Sequence, residues 1–119
     1  MPGPLDGVKV LDLSVMISGP LAAMLLADQG AQVVKIESTD GDLTRSRPPI
    51  RDGASASYGQ LNAGKKSLVL DLKQPDAVGV VMRLIETTDV LVENFRPGVM
   101  QRLGLDYAAL APQNARLIY

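Results

Sequence analysis

At 119 residues the chain is at most one domain, long enough for a single hydrophobic core. Its 46% apolar and 21% charged residues fit an ordinary globular chain, and a net charge of -1 gives no whole-chain attraction to nucleic acid or membrane. The absence of Cys and His excludes thiol chemistry, imidazole acid–base work and the usual zinc ligand sets, leaving carboxylates, Lys, Tyr, Ser and backbone donors.

Gly7 is followed by a run rich in branched residues, and strand geometry is expected over residues 8–13. A small apolar loop, Ser14 to Ser18, leads to Gly19-Pro20, and a buried helix is expected from Leu21 to Gln29, ended by Gly30. The apolar stretch from Leu13 to Ala27 is interrupted by Ser14, Ser18, Gly19 and Pro20, too short and broken for a spanning helix of ~20 residues. Charged residues ahead of it (Asp6, Lys9, Asp12) argue against a signal peptide, and a cytoplasmic location is the expectation. A second strand is expected over 32–36, which completes a right-handed βαβ unit.

Residues 37–59 carry glycines, Pro48-Pro49 and three arginines (Arg45, Arg47, Arg51) without a sustained period, and read as a long loop with room for a helical turn. Strands are expected over 67–72, 90–93 and 116–119, with a helix from Pro75 to about Thr87. Pro97 starts a short helix stopped by Gly104, and Asp106 caps another turn. The alternation predicts a three-layer α/β fold with a mostly parallel sheet and helices on both faces. The last expected strand has no closing helix after it, so residues 1–119 are expected to be part of a larger domain.

Three places are candidates for ligand binding. The loop after the first strand meets a helix N-terminus, which suits an anion, and Glu37 ends the second strand where dinucleotide folds place a ribose-binding acid. The glycine fingerprint G-x-G-x-x-G is missing, and an ordinary βα turn fits equally. Gly59 to Ser67 (GQLNAGKKS) approaches a phosphate loop, but Lys66 holds the hydroxyl position and a strand follows, so the ATP mechanism is absent and the segment stays usable only as a cationic loop near a strand start. Glu93 to Arg102 (ENFRPGVMQR) lies at a strand's carboxyl end and offers Asn94, Phe95, Arg96 and Arg102 to a phosphate ligand; a solvated face is the alternative.

In order along the chain, PLDGVKVLDLS, GPLAAMLLADQGAQVVKIE, GD-x-x-R, NAGKKSLVLDLK, DVLVENFRPGVMQRLGLDYAAL and NARLIY resemble the class III CoA-transferase (CaiB/BaiF) family, which includes formyl-CoA transferase and α-methylacyl-CoA racemase. The resemblance implies a Rossmann-like large domain that binds CoA, a second smaller domain, and an interlocked homodimer. It implies CoA and acyl-CoA as substrates, with no metal or redox cofactor. Carried over residue by residue, it implies CoA contacts at Met16, Ile17, Leu70, Lys73, Asn94, Phe95, Arg96 and Arg102. Ser38 stands where many members have an arginine that can meet a phosphate, and Arg45 or Arg47 are the available substitutes.

The resemblance implies transfer of CoA between carboxylic acids through an aspartyl-CoA intermediate. The family's nucleophilic Asp lies beyond Tyr119, so residues 1–119 are expected to show no transferase activity alone. A racemase of the same family remains an alternative. So do an NAD-linked oxidoreductase domain and a non-catalytic fragment.

Overall fold

The computed structural model describes residues 2–119. The branched run after Gly7 forms β1 (Lys9–Asp12), and the apolar segment beyond it forms α1 (Ser18–Asp28). This helix starts earlier than Leu21, so Gly19 and Pro20 lie in its first turn, where proline's missing N–H has no helical acceptor to lose. It ends in a Schellman motif: Gly30, at φ 103°, donates to the Ala27 carbonyl at 2.9 Å, and Ala31 donates to the Leu26 carbonyl at 3.1 Å. Then come β2 (Gln32–Glu37), a 3₁₀ turn (Leu43–Ser46), β3 (Ile50–Arg51), β4 (Ala54–Ser55) and α2 (Ala56–Asn62). The remainder is β5 (Lys66–Val69), α3 (Pro75–Ile85), β6 (Val90–Val92), α4 (Val99–Arg102) and α5 (Tyr107–Leu110).

Strands β5, β2, β1 and β6 lie in that order in one parallel sheet, with Lys9 opposite Gln32, Val10 opposite Val90 and Val34 opposite Lys66. Successive strand residues point to opposite faces, and the core divides accordingly. Val10 and Val33 pack with Ala23 and Ala31 in one buried cluster, while Leu11, Leu13 and Ile36 pack with Val81 and Ile85 in the other. Helix α3 serves this second face through Ala77, Val81 and Ile85, spaced to share one stripe. Asp76 in its first turn and Arg83 in its last complement the helix dipole. The α/β fold with a parallel sheet and helices on both faces is therefore as expected. No described helix is long and apolar enough to cross a membrane.

Three expectations need correction. Residues 37–59 are not one long loop: Asp52 and Gly53, both at positive φ (50° and 77°), turn the short hairpin β3–β4, and Ser55 Oγ caps α2 by accepting from Tyr58 N–H at 3.2 Å. The strand expected over 67–72 is β5 and stops at Val69. After Leu70 N–H reaches the Glu37 carbonyl, Asp71 Oδ1 accepts from Lys73 N–H at 3.1 Å and turns the chain. The strand expected over 116–119 is a single parallel bridge, Val90 with Ile118. Its neighbours' N–H groups go instead to Asn114, whose Oδ1 accepts from Arg116 and whose carbonyl accepts from Leu117.

Candidate active-site cleft at the carboxyl end of the sheet

The chain leaves β1 toward β2 on one side, while β6 pairs on the other, so the loops after β1 and β6 diverge at a topological switch point. Open parallel sheets bind ligands outside this point. Here the two loops are joined. Asn94 Oδ1 accepts from Val15 N–H at 2.9 Å, and Asn94 Nδ2 donates to the Val15 carbonyl at 2.8 Å. A sequence candidate for direct CoA contact thus has its amide engaged in holding the first loop.

Beside this clamp lies a cavity of about 300 Å³. Its walls are mainly apolar, from Leu13, Ile36, Leu70, Leu72, Phe95 and Val99, and Ser38 and Lys73 reach it as polar groups. Leu70, Lys73 and Phe95 were expected from sequence to share a site, and the structure brings them together. Met16 and Ile17 fall just outside. Met16 adopts a left-handed backbone (φ 70°), and Ile17, half exposed, lines a second groove of about 370 Å³ with Leu21, Met24, Leu61 and Arg47. Arg96 and Arg102 are exposed and line neither space; the Arg102 guanidinium lies over Gly98.

Three buried acids are committed to partners, Glu37 and Asp12 at strand ends and Asp42 at the cap of the 3₁₀ turn. Glu37, 4% exposed, accepts from Arg45 Nη2 at 2.7 Å, from Arg45 Nε at 3.1 and 3.2 Å, and from Ser67 Oγ at 2.9 Å. Burial pushes its carboxyl up, but the Arg45 and Ser67 hydrogen bonds and the guanidinium charge outweigh that and hold it below its ordinary value. Arg45 is in turn fixed by Tyr58, with Nη2 2.7 Å from the phenol oxygen and Cζ 3.9 Å from the ring centroid. Burial first, and the Glu37 charge second, raise the Tyr58 phenol to about 12.

Asp42 accepts from Thr44 N–H at 2.9 Å and from the Thr44 hydroxyl at 2.8 Å, and Lys35 Nζ lies 3.0 Å from its other oxygen. Burial pushes this carboxyl up as well, and the Thr44 bonds and Lys35 bring it below its usual value. Asp12 pairs with Lys65 at 2.8 Å. Burial lowers the Lys65 ammonium below its ordinary value, and Asp12 offsets part of that.

These pairs change two sequence readings. A ribose-binding acid needs free oxygens, and those of Glu37 are filled by Arg45, Ser67 and Asp42 N–H. Arg45, considered as a substitute for an arginine at position 38, is held by Glu37 and Tyr58, while Arg47 lines the second groove. The candidates drawn from sequence gave no site role to Asp12, Lys35 or Asp42 and held Lys65 only as part of a cationic loop, whereas its Nζ is committed to Asp12, Pro20 and Asn62. Lysines within or beside strands look like solvated charges in a sequence, and only the fold shows these two with nearly no exposure.

Residues 5–119 match the model of CoA-transferase family III. Over 98% of its length the chain is 45% identical to succinyl-CoA:mesaconate CoA-transferase from Haloarcula hispanica, and over 97% it is 44% identical to alpha-methylacyl-CoA racemase from Homo sapiens. It spans 31% and 27% of those two proteins. A CaiB/BaiF family protein of known structure from Brucella suis superposes with a TM-score of 0.94 at 38% identity, covering 100% of this chain and 33% of that one. The resemblance drawn from the ordered motifs and the match along nearly the whole chain agree: the chain belongs to CoA-transferase family III.

Proposed function

We propose that residues 1–119 form the CoA-binding part of an enzyme that moves CoA between acyl-CoA thioesters and free carboxylic acids. The observation that carries this reading is the convergence of Leu70, Lys73 and Phe95 on one apolar cavity outside the carboxyl ends of the sheet. An apolar slot with an aromatic plate suits the adenine of CoA, and Lys73 at its lip suits a phosphate. The exposed Arg96 and Arg102 stand near enough in sequence to the Phe95 wall to serve the remaining phosphates. A stretch about equally similar to a transferase and to a racemase fits the substrate those two share by name, a CoA ester.

The carboxylate that attacks the thioester is proposed to lie outside these residues. Glu37 and Asp42 border the cavity, but both are buried and ion-paired, Glu37 with Arg45 and Asp42 with Lys35, which lowers the reactivity of their lone pairs. A nucleophilic carboxylate must instead present a free oxygen to the thioester carbon. In the complete enzyme the attack would form a mixed anhydride and release CoA thiolate. The thiolate would then attack the aspartyl carbonyl, giving aspartyl-CoA and the free acid. Reversal with a second carboxylate passes CoA to it, and no metal or redox cofactor takes part.

The reading is tested by incubating the 119-residue protein with acyl-CoA and an isotopically labelled acid such as succinate. No label should enter the CoA ester, whereas CoA should still bind. Label appearing in the ester would place the nucleophile within these residues and overturn that part of the reading.

A further inference from the structure

Two buried ammonium groups, Lys35 and Lys65, flank the corner where β1 passes into α1, and neither is among the residues proposed above to contact CoA. The Lys65 side chain is 2% exposed, and its Nζ donates to Asp12 Oδ2, the Pro20 carbonyl and Asn62 Oδ1, each at 2.8 Å. Its three N–H groups are therefore fully used. Asp12, with no exposed surface, also accepts from Ser14 N–H at 2.9 Å and from the Ser14 hydroxyl. From the next strand, Lys35 Nζ donates to the Ser14 carbonyl at 2.9 Å. Lys65 thus fastens the end of β1 to the first turn of α1, and the loop between them is caught at both ends.

Stability alone does not account for this pair. Taking two charges out of water offsets much of their attraction, and a well-packed apolar replacement is often as stable. What the anchors do over-determine is the conformation of Met16, whose left-handed backbone a non-glycine residue keeps only where its surroundings impose it. On one side of Met16, Val15 lines the apolar cavity; on the other, Ile17 lines the second groove. Met16 joins these two residues in the chain and itself lines neither space.

We infer that Lys65, acting through Asp12 and the Pro20 carbonyl, is a positioning residue for the pantetheine arm of CoA. It holds the loop so that the arm passes from the adenosine cavity over Met16 into the groove beside Ile17. This rests on the CoA-binding reading above and adds, to the contacts the resemblance implies at Met16 and Ile17, the buried pair that fixes them.

The test compares CoA with 3′-phospho-ADP, which has the nucleotide end and lacks the arm, by calorimetric titration of the parent and the Asp12→Asn/Lys65→Met double variant. The double variant removes both charges together and leaves an acceptor for Ser14. CoA affinity should fall about tenfold, equivalent to about 1.4 kcal/mol, with nucleotide affinity within about twofold of the parent. Asn62→Ala removes one acceptor of Lys65 and keeps both charges, and covers the case in which the double variant does not fold. It should weaken CoA about threefold and leave the nucleotide unchanged. Equal losses for both ligands, or no loss for either, would overturn the inference while leaving the CoA reading intact. A parent that binds neither ligand would overturn both.

Discussion

Asn94 and Val15 form a closed pair of hydrogen bonds, 2.9 and 2.8 Å long, between the loops that follow β6 and β1. The pair spans the switch point of the sheet and fixes the edge of the cavity. Asn94→Ala should therefore loosen the first loop. Two net hydrogen bonds are worth about 1–3 kcal/mol together, at the lower end here because Asn94 is exposed. Asn94→Asp keeps the acceptor but sets an anionic oxygen against the Val15 carbonyl, so it should not restore CoA affinity. Titration calorimetry on the two variants checks this, and full rescue by Asp would contradict it.

Gly19 meets the same loop from the helix side. A Cβ at that position would sit 2.2 Å from Ser14 Cβ and 2.6 Å from Ser14 Oγ, so the start of α1 and the loop can touch only without a side chain. Gly19→Ala should cost about 1–3 kcal/mol, the usual range for overpacking. Denaturant unfolding measures it, and an unchanged midpoint would mean that the loop moves away freely.

The Glu37 and Asp42 carboxyls lie below their ordinary values of 4.5 and 3.8. For such groups the unfolded chain takes up protons first as the pH falls. Their stabilisation is thus complete above the ordinary values and lost as pH drops through the lower, folded ones. The melting temperature should fall on the acid side, and the fall should be shallower in Glu37→Gln. Thermal melts between about pH 5 and 3 test this. Identical slopes for parent and variant would show that the Arg45 partnership does not couple to folding.

Arg96 and Arg102 are exposed and share no cavity wall. Charge-assisted hydrogen bonds contribute roughly 1.5–3 kcal/mol, and solvent exposure sets the expectation at the lower end. Each alanine variant should weaken CoA binding about tenfold, and by less at high salt, where screening already weakens the parent's contact. Unchanged affinity in both variants would make these arginines a solvated face.

Much of this was legible because apolar periodicity and glycine placement are local signals. Gly30 and Gly104 marked helix stops, and each now ends a Schellman motif, the second with Leu105 N–H on the Met100 carbonyl at 2.8 Å. Branched residues located four strands. The hairpin at Asp52-Gly53 carried a readable turn signal that its two-residue strands obscured. The buried ion pairs were not legible, because Lys65 meets Asp12 across 53 positions of sequence and only the sheet brings them together. For the site, the fold gathers Leu70, Lys73 and Phe95 on one cavity, and their contact with CoA is part of the proposal. Asn94 was found for a contact role, and its clamp on Val15 became visible only when the two loops were seen side by side.

The cavity outside the sheet is proposed to hold the adenosine end of CoA. The most direct test of that proposal is calorimetric titration of CoA and NADH into the protein and into Leu70→Glu, which sets a carboxylate in the cavity wall against the ligand. CoA should bind the parent, 3′-phospho-ADP should compete with it, NADH should not bind, and Leu70→Glu should abolish CoA binding while keeping the parent's circular dichroism. NADH binding in preference to CoA, or CoA binding that ignores Leu70→Glu, would contradict the account.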